Sequence, residues 1–371
     1  MGKIYTALGL MSGTSMDGVD ASIIQTDGKL KYKSILDKYF QYPKGIYSNL
    51  TKLREKIKSS EDLKKHQKKI KLLEKKITIF HAKVVNKTLK KTKVSIDFIG
   101  FHGQTIFHNS KKKSTKQLGN GSLLSKLTKK KVVYNFRQND IKNGGEGAPL
   151  APIFHDLIAN KYKLNPPNIF INIGGISNFT YLGVPNIRAN KIKNWYAGDL
   201  CLGNCLIDQW IRKKSKNNFD KDGKIAKKGK IHINKLKLAL QAYKPKKENS
   251  LDIKDFDLSF VNGLSLKDGA ATLTEYTAHI LAHNLIVHAV NNTKIILCGG
   301  GRKNTFLVKK LKKKLPCPIL LIDDYGINGD FVESQAFGYF AIRSFLKLPI
   351  SFPNTTGCKK PCTGGVLVKN Y

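Results

Sequence analysis

Three glycine-punctuated turns, each behind an apolar run, carry the clearest chemical signal: "GLMSGTSMDGVDAS" at 9–22, "INIGGISN" at 171–178 and "LCGGGRKN" at 297–304. Glycine permits backbone conformations that let successive N–H groups converge on one point, and such turns bind phosphate-like anions. One such cluster reads as an ordinary hairpin loop. Three in a chain that alternates strands and helices read as a nucleotide site. The Walker pattern G-x-x-x-x-G-K-[ST] is absent, and no G-x-G-x-x-G opens a helix after a strand, so neither a P-loop nor a Rossmann site is expected. Other constellations are weaker. His279 and His283 share a helix face at metal-ligand spacing with no third ligand, and Cys201 with Cys205 and Cys358 with Cys362 lack the company of a zinc site. These are expected to be structural.

The elements that must hold the turns follow from periodicity. "KIYTALGL" and "VDASIIQTD" are strands flanking the first turn, with Val19, Ala21 and Ile23 alternating against Asp20 and Ser22. A long helical pattern is expected over 48–90, with Leu53, Ile57, Ile70, Leu73, Ile77, Phe80 and Val84 on one face. "VSIDFIGF" is a short buried strand entering a polar loop, "HGQTIFH". "KVVYNFRQND" reads as strand and loop, "NGGEGAPLAP" as a turn, and "APIFHDLIANKY" as a helix with Pro152 in its first turn. "NIFINIGGISNFTYLG" repeats the opening strand-turn-strand unit, an internal echo that points to duplication. Helices are expected over "GAATLTEYTAHILAHNLIVHAV", after the third glycine cluster, and over "GDFVESQAFGYFAIRSFLKLP". Strands alternating with helices make an α/β chain with covered sheets.

The chain has 371 residues, enough for two domains. Lys and Arg total 66 against 26 Asp and Glu, a net +40. Lysines are spread over nearly every segment and arginine is scarce, without the interleaved aromatics of a base-stacking platform. The charge therefore reads as a solvated surface, with no specific nucleic-acid partner and no membrane partner. No apolar run is long enough to span a bilayer, no secretory signal opens the sequence, and six cysteines do not form a disulfide framework. A cytoplasmic setting is expected.

A nucleotide site made of two hairpins and one strand-glycine-helix element is the plan of the actin, Hsp70 and sugar-kinase superfamily, and within it the chain resembles the anhydro-N-acetylmuramic acid kinases. The opening "LMSGTSMDGVDAS" carries the resemblance most specifically. It continues through "GFHGQTIFH", "FRQNDIKNGGEGAPLAPIFH", "INIGGISN", "GD" at 198–199, "GNCLID", "FDKDGKIAKKGK", "LCGGGRKN" and "GINGDFVESQAFGYFA". The resemblance implies a two-domain actin-like ATPase fold with the active site in the interdomain cleft. The domains expected are 1–165 plus 335–371, and 166–334. It implies an enzyme that uses ATP and Mg²⁺ to open 1,6-anhydro-N-acetylmuramic acid with water and phosphorylate O6, giving N-acetylmuramic acid 6-phosphate in peptidoglycan recycling, and a homodimer.

The same resemblance implies roles for residues. Ser12, Gly13, Thr14, Ser15, Met16, Asp17, Gly18, Val19 and Asp20 hold ATP phosphates, with Gly13 and Gly18 bracketing a turn too tight for larger residues. Gly174 and Gly175 form the second phosphate hairpin, and Gly299, Gly300, Gly301 and Asn304 lie against adenosine. Asp199, in a loop before a helix that starts near Asn204, is the base for the attacking water. His102, Gln104, Arg137, Asp140 and Glu333 contact the sugar, the guanidinium matching its lactyl carboxylate. Met11 stands where related kinases carry aspartate, so either Asp17 or Asp20 orients Mg²⁺ through water.

The chain departs from the family in places. The base loop, typically A-F-D-T-G-P-G-N, reads "AGDLCLGN" here, with Leu200, Cys201 and Leu202 replacing Thr, Gly and Pro. Asn120 and Asn135 replace aspartates, Glu146 replaces glutamine, and "KKENSLDIKDF" has Ile253 at an arginine position. Two alternatives stay open: a kinase of the same fold acting on a different amino or anhydro sugar, and a degenerate, non-catalytic nucleotide-binding homologue.

Overall fold

The computed structural model describes residues 2–184, 194–245, 251, 253–289 and 292–371. The chain divides into two compact units, Met1–Leu164 with Phe331–Tyr371, and Asn165–Asp330. Chain order in the first is β1 (Tyr5–Ser12), β2 (Gly18–Thr26), β3 (Tyr32–Gln41), α1 (Lys44–Lys56), α2 (Ser60–Lys65), α3 (Gln67–Leu89), β4 (Phe98–Asn109), β5 (Ser114–Leu118), α4 (Gly121–Thr128), β6 (Lys131–Tyr134), α5 (Gln138–Lys142) and α6 (Pro152–Lys161). The second holds β7 (Asn168–Ile173), β8 (Ile176–Leu182), β9 (Trp195–Leu202), α7 (Cys205–Lys214), α8 (Ile233–Ala242), α9 (Leu266–Ile286), β10 (Lys294–Cys298), α10 (Thr305–Lys312) and β11 (Ile319–Leu321). The chain then returns to the first unit with α11 (Val332–Phe345), α12 (Pro353–Thr356) and β12 (Val366–Val368).

Each unit is built on one sheet with the same plan. In the first, β3-β2-β1-β4-β6 run in that order, β12 extends the β6 edge, and β5 pairs with β4. In the second the order is β9-β8-β7-β10-β11. In both, the first three strands form an antiparallel meander and the first strand then pairs in parallel with the next one reached by a crossover. The echo between the two opening hairpins is thus a repeated five-strand topology, and the fold is the expected α/β, actin-like class.

The parallel strands explain where chemistry gathers. β1, β4 and β6 point the same way, and Ser12, at the carboxyl end of β1, lies opposite Gln104, where the parallel pairing with β4 stops. In parallel sheets that edge is where ligands bind. Helix α11 is held against the sheet by two glycines in register, Gly9 on β1 and Gly100 on β4. A Cβ would lie 1.8 Å from the Ser334 carbonyl oxygen at Gly9, and 2.1 Å from that of Phe337 at Gly100. Any side chain there would lift the helix and move Glu333 in its first turn. Polar ties fix the same contact: Ser22 Oγ lies 2.6 Å from Ser334 Oγ and donates to Asp37 Oδ1 at 2.6 Å, while Gln335 Nε2 donates to both Asp37 oxygens at 3.1 and 3.0 Å.

Two local expectations change. The continuous helix over 48–90 is three helices, breaking before Ser60, where Ser59 and Asp62 form a reciprocal capping box that starts α2 afresh, and again at His66. The polar "HGQTIFH" is no loop but the second half of β4, paired with β5 through Gln104–Asn109. Val19, Ala21 and Ile23 are fully buried, but so are Ser22 and Ile24, so both faces of β2 are covered. In α9, Leu273, Tyr276, Ile280 and Leu285 are buried as their spacing implies.

Candidate functional site

The first glycine turn joins β1 to β2 at the carboxyl end of β1. It closes with Met16 N–H donating to the Gly13 carbonyl at 3.2 Å, and its positive φ belongs to Met16 (58°), whose side chain is buried. This corrects the expectation that Gly13 and Gly18 are both sterically forced. A Cβ at Gly18 would come within 2.6 Å of the Phe40 carbonyl oxygen, but at Gly13 the nearest atom is Ser15 Oγ at 3.8 Å. Space beside Gly13 is therefore open within the protein.

Three carbonyls of this turn are tied back to the protein. Gln104 Nε2 donates to Gly13 O at 2.9 Å, Arg54 Nη1 to Thr14 O at 2.9 Å, and Tyr42 N–H to Asp17 O at 2.8 Å. In a trans peptide the N–H of the next residue points opposite to the carbonyl, so the amides of Thr14 and Ser15 are turned away from those donors. This suits an anion. Ser12 is buried and its hydroxyl is engaged internally, with Tyr42 Oη at 2.9 Å and His81 Nε2 at 3.2 Å. Val19 is buried in β2. Asp17 is exposed, accepts from Ser15 Oγ at 2.5 Å, and together with Asp20 raises the Tyr39 hydroxyl beyond what burial alone does.

Within β4 and just past the end of β6 the structure brings His102 and Arg137 together. Arg137 Nε and Nη2 lie 3.2 and 3.1 Å from His102 Nε2, and Nη1 donates to Gly147 O at 2.7 Å. His102 Nδ1 donates to the Gly103 carbonyl at 2.8 Å, leaving Nε2 as acceptor for the guanidinium. Burial, and then Arg137, hold His102 well below the ordinary imidazole range. Its ring packs 4.5 Å from Phe337 of α11. Burial lowers the Arg137 pKa, while Glu333 and Asp140 favour its charge. Glu333 keeps an accessible surface, yet enough protein surrounds it to push its carboxyl up, against the pull of Arg137.

Asp140 is placed otherwise. It is buried, with Oδ2 accepting from Gly147 N–H at 2.7 Å and Oδ1 from Thr356 Oγ1 at 2.6 Å. Its carboxylate ties the turn after α5 to α12. Gln104 also differs from the sugar-facing expectation, since its amide nitrogen serves the glycine turn, while its buried Oε1 has no partner among the described residues.

In the second unit Gly174 and Gly175 form the β7–β8 turn, and the start of α7 closes on it: Asn204 N–H donates to Gly174 O at 2.8 Å, and Gly203 N–H to Gly175 O at 2.9 Å. Gly299 has a φ of +75°, and Gly301 is buried beneath the third cluster. Gly300 has nothing within 4 Å of a would-be Cβ. Asn304 caps α10, its Oδ1 accepting from Leu307 N–H at 3.0 Å. The neighbour that sequence reasoning missed is Arg302, buried and bonded to Asp323 at 2.5 and 2.8 Å and to Asp330 at 2.6 Å. Burial opposes its charge, but these two carboxylates hold it above the ordinary arginine value.

Asp199 lies not in a loop but in β9, one residue before a bulge: Asn178 pairs with Asp199 and Ser177 with Cys201, which leaves Leu200 as the extra residue. Bulges re-aim side chains beside active sites. Leu251 N–H donates to Asp199 Oδ2 at 2.8 Å, and burial pushes the carboxyl up, partly offset by that bond. The helix begins at Cys205, as expected. The replaced loop residues serve packing: Cys201 and Leu202 are buried in the core of this unit and Leu200 packs against it. Within "KKENSLDIKDF", residues 246–250 and 252 lie outside the described residues. Asp208, on α7, is a carboxyl that sequence reasoning also missed, pushed up to about 7 by burial, against Arg212 and with Asp220 adding to the shift.

The donor set fits a nucleotide with its cation. The turn presents amides over an open glycine, and carboxylates stand at Asp17 and Asp20. Among the described residues no cluster of three or more metal-ligating side chains occurs, and none is required, since Mg²⁺ is normally held by phosphates, waters and one or two carboxylates. No helix among the described residues is long and apolar enough to cross a membrane.

Comparison with known proteins agrees across the chain. Residues 5–370 match the family described as Anhydro-N-acetylmuramic acid kinase. A relative from Pelagibacter ubique (strain HTCC1062), named anhydro-N-acetylmuramic acid kinase, is 53% identical over 380 residues, covering 100% of both chains. One of the same name from Zymomonas mobilis is 38% identical, over 97% of this chain and 98% of its own. Among solved structures, component A of (R)-2-hydroxyglutaryl-CoA dehydratase from Acidaminococcus fermentans is similar at 12% identity and a TM-score of 0.47, over 92% of this chain and 100% of that one. The chain belongs to the anhydro-N-acetylmuramic acid kinase family.

Proposed function

We propose that this chain is an ATP-dependent kinase that adds water across the 1,6-anhydro bond of anhydro-N-acetylmuramic acid and phosphorylates O6, yielding N-acetylmuramic acid 6-phosphate in peptidoglycan recycling. The observation that carries the reading is full-length identity of 53% to a relative bearing that name, in a chain whose Asp199 stands beside a bulge with one oxygen anchored and its basicity raised.

On this reading Asp199 takes a proton from the water that attacks C1, and O6 leaves toward the γ-phosphate. A carboxylate whose pKa lies above the ordinary aspartate range is a stronger base in its ionised form. The amides of the turn 13–18 and those at Gly174 and Gly175 hold phosphate oxygens, and the cluster Gly299–Gly301 with Asn304 receives adenosine. Asp17 or Asp20 holds Mg²⁺ through water, and the ion, when bound, offsets charge on the transferring phosphoryl group. Arg137, held rigid by His102 and Gly147, pairs with the lactyl carboxylate, and Glu333 faces the sugar hydroxyls. The protein acts as a homodimer in the cytoplasm on small molecules, with its positive charge solvated.

Incubating purified protein with the anhydro sugar, ATP and Mg²⁺ tests this by mass spectrometry. Gain of one phosphate and one water supports the reading. Phosphorylation of free amino sugars with the anhydro sugar untouched would replace it with the second kinase reading, and loss of all transfer would leave a nucleotide-binding homologue.

A further inference from the structure

A short polar chain runs through otherwise apolar packing beneath the first glycine turn. Tyr42 Oη lies 2.9 Å from Ser12 Oγ, which lies 3.2 Å from His81 Nε2, and His81 Nδ1 lies 2.9 Å from the Ile77 carbonyl oxygen. All three side chains are buried, at 4%, 1% and 0% exposure. Phe101 sits 4.9 Å from the His81 ring and Phe80 5.1 Å from that of Tyr42.

Chemistry gives the chain one direction. A carbonyl only accepts, so Nδ1 carries the imidazole proton and Nε2 is an acceptor. Ser12 must then donate to His81, which leaves its oxygen to accept from Tyr42. Burial keeps His81 unprotonated, lowering it to about 4, so this order persists through the neutral range. With its proton committed to His81, Ser12 does not serve as a phosphate donor.

Tyr42 grips the turn twice. Its hydroxyl holds Ser12 at the turn's start, and its backbone N–H holds the Asp17 carbonyl at its end. Gln104 and Arg54 take the Gly13 and Thr14 carbonyls between those points. We propose that Tyr42 and His81 are positioning residues for the nucleotide: acting through Ser12, they fix the peptide planes of the turn so that its amides face the phosphates before ATP arrives. This inference rests on reading the turn as the phosphate site.

His81→Phe keeps ring volume and removes the acceptor, Tyr42→Phe removes only the hydroxyl, and His81→Gln restores an acceptor. Losing a buried tie of this kind is expected to raise the KM and Kd for ATP by about tenfold in the two Phe variants, with the KM for sugar unchanged. His81→Gln is expected to recover most of the ATP affinity. Nucleotide binding by calorimetry reads the effect without any sugar, so it is separable from the substrate assignment. If wild type binds ATP and Tyr42→Phe binds it equally well, the proposal is overturned, even if His81→Phe does not fold. If wild type binds ATP but does not turn over the sugar, the substrate reading fails while the positioning result stands. If wild type does not bind ATP, both fall.

Discussion

Arg137 and His102 form a fixed pair, with guanidinium nitrogens 3.2 and 3.1 Å from an imidazole nitrogen that is kept as an acceptor because its ring partner is bonded to the Gly103 carbonyl. A neutral histidine thus holds a cation in place without cancelling its charge, and the Gly147 carbonyl completes the seat. Arg137→Lys loses the planar fork and this seat. The sugar KM is expected to rise about 10- to 100-fold, with ATP affinity little changed. Steady-state kinetics with each substrate varied in turn checks the split.

For Asp199→Asn, turnover is expected to fall about 10²- to 10⁴-fold, with ATP affinity preserved. Stability should move the other way. Burial raises the Asp199 pKa in the folded state, so its folding contribution is fully present below the unfolded pKa and is lost as pH rises through the folded one. Above the folded pKa the buried, ionised carboxylate is a burden, and asparagine relieves it while still accepting from Leu251. Tm should stay level or increase. A lower Tm together with lost ATP binding would make Asp199 a structural residue.

The pH profile follows from the same shift. The acid limb of kcat is expected above the ordinary aspartate range of about 3.9, because the base must be ionised to work. His102 should add no limb between pH 5 and 8, since it is held well below the ordinary imidazole value. An inflection near 6.5 that disappears in a His102 variant would contradict this.

Gly13 and Gly18 should separate in experiment. Gly18→Ala meets the Phe40 carbonyl at 2.6 Å and is expected to cost about 1–3 kcal/mol of stability. Gly13→Val has room in the protein, so its Tm should be near wild type, while its side chain fills the space beside the amides and ATP binding is lost. Thermal unfolding and calorimetry on both variants test the contrast.

Much of this was legible in sequence where a local rule decided it. The strands around each glycine turn, Pro152 opening α6 and the start of α7 all followed from short-range pattern. The echo between the two hairpins anticipated a duplicated sheet. Long-range pairing defeated the rest. "HGQTIFH" reads as a polar loop until β5 and β1 are seen to cover it, and "YAGDLCL" shows no alternation because a bulge interrupts β9 at Leu200. Asp140 resembled a substrate contact, but one of its partners, Thr356, is 216 residues away. Arg302 is silent in sequence because its partners Asp323 and Asp330 lie outside its motif. The break at Ser59 is written as S-x-x-D, a short signal hidden by the lysine-rich helical period on both sides of it.

Running the reaction in H₂¹⁸O tests the coupling of hydrolysis to transfer most directly. If Asp199 activates water toward C1 and O6 takes the phosphoryl group, the product carries one ¹⁸O on C1, one phosphate on O6, and no label in the phosphate. Label in inorganic phosphate with the anhydro sugar intact, or phosphorylated sugar without ¹⁸O at C1, would contradict the assignment of water attack at the sugar.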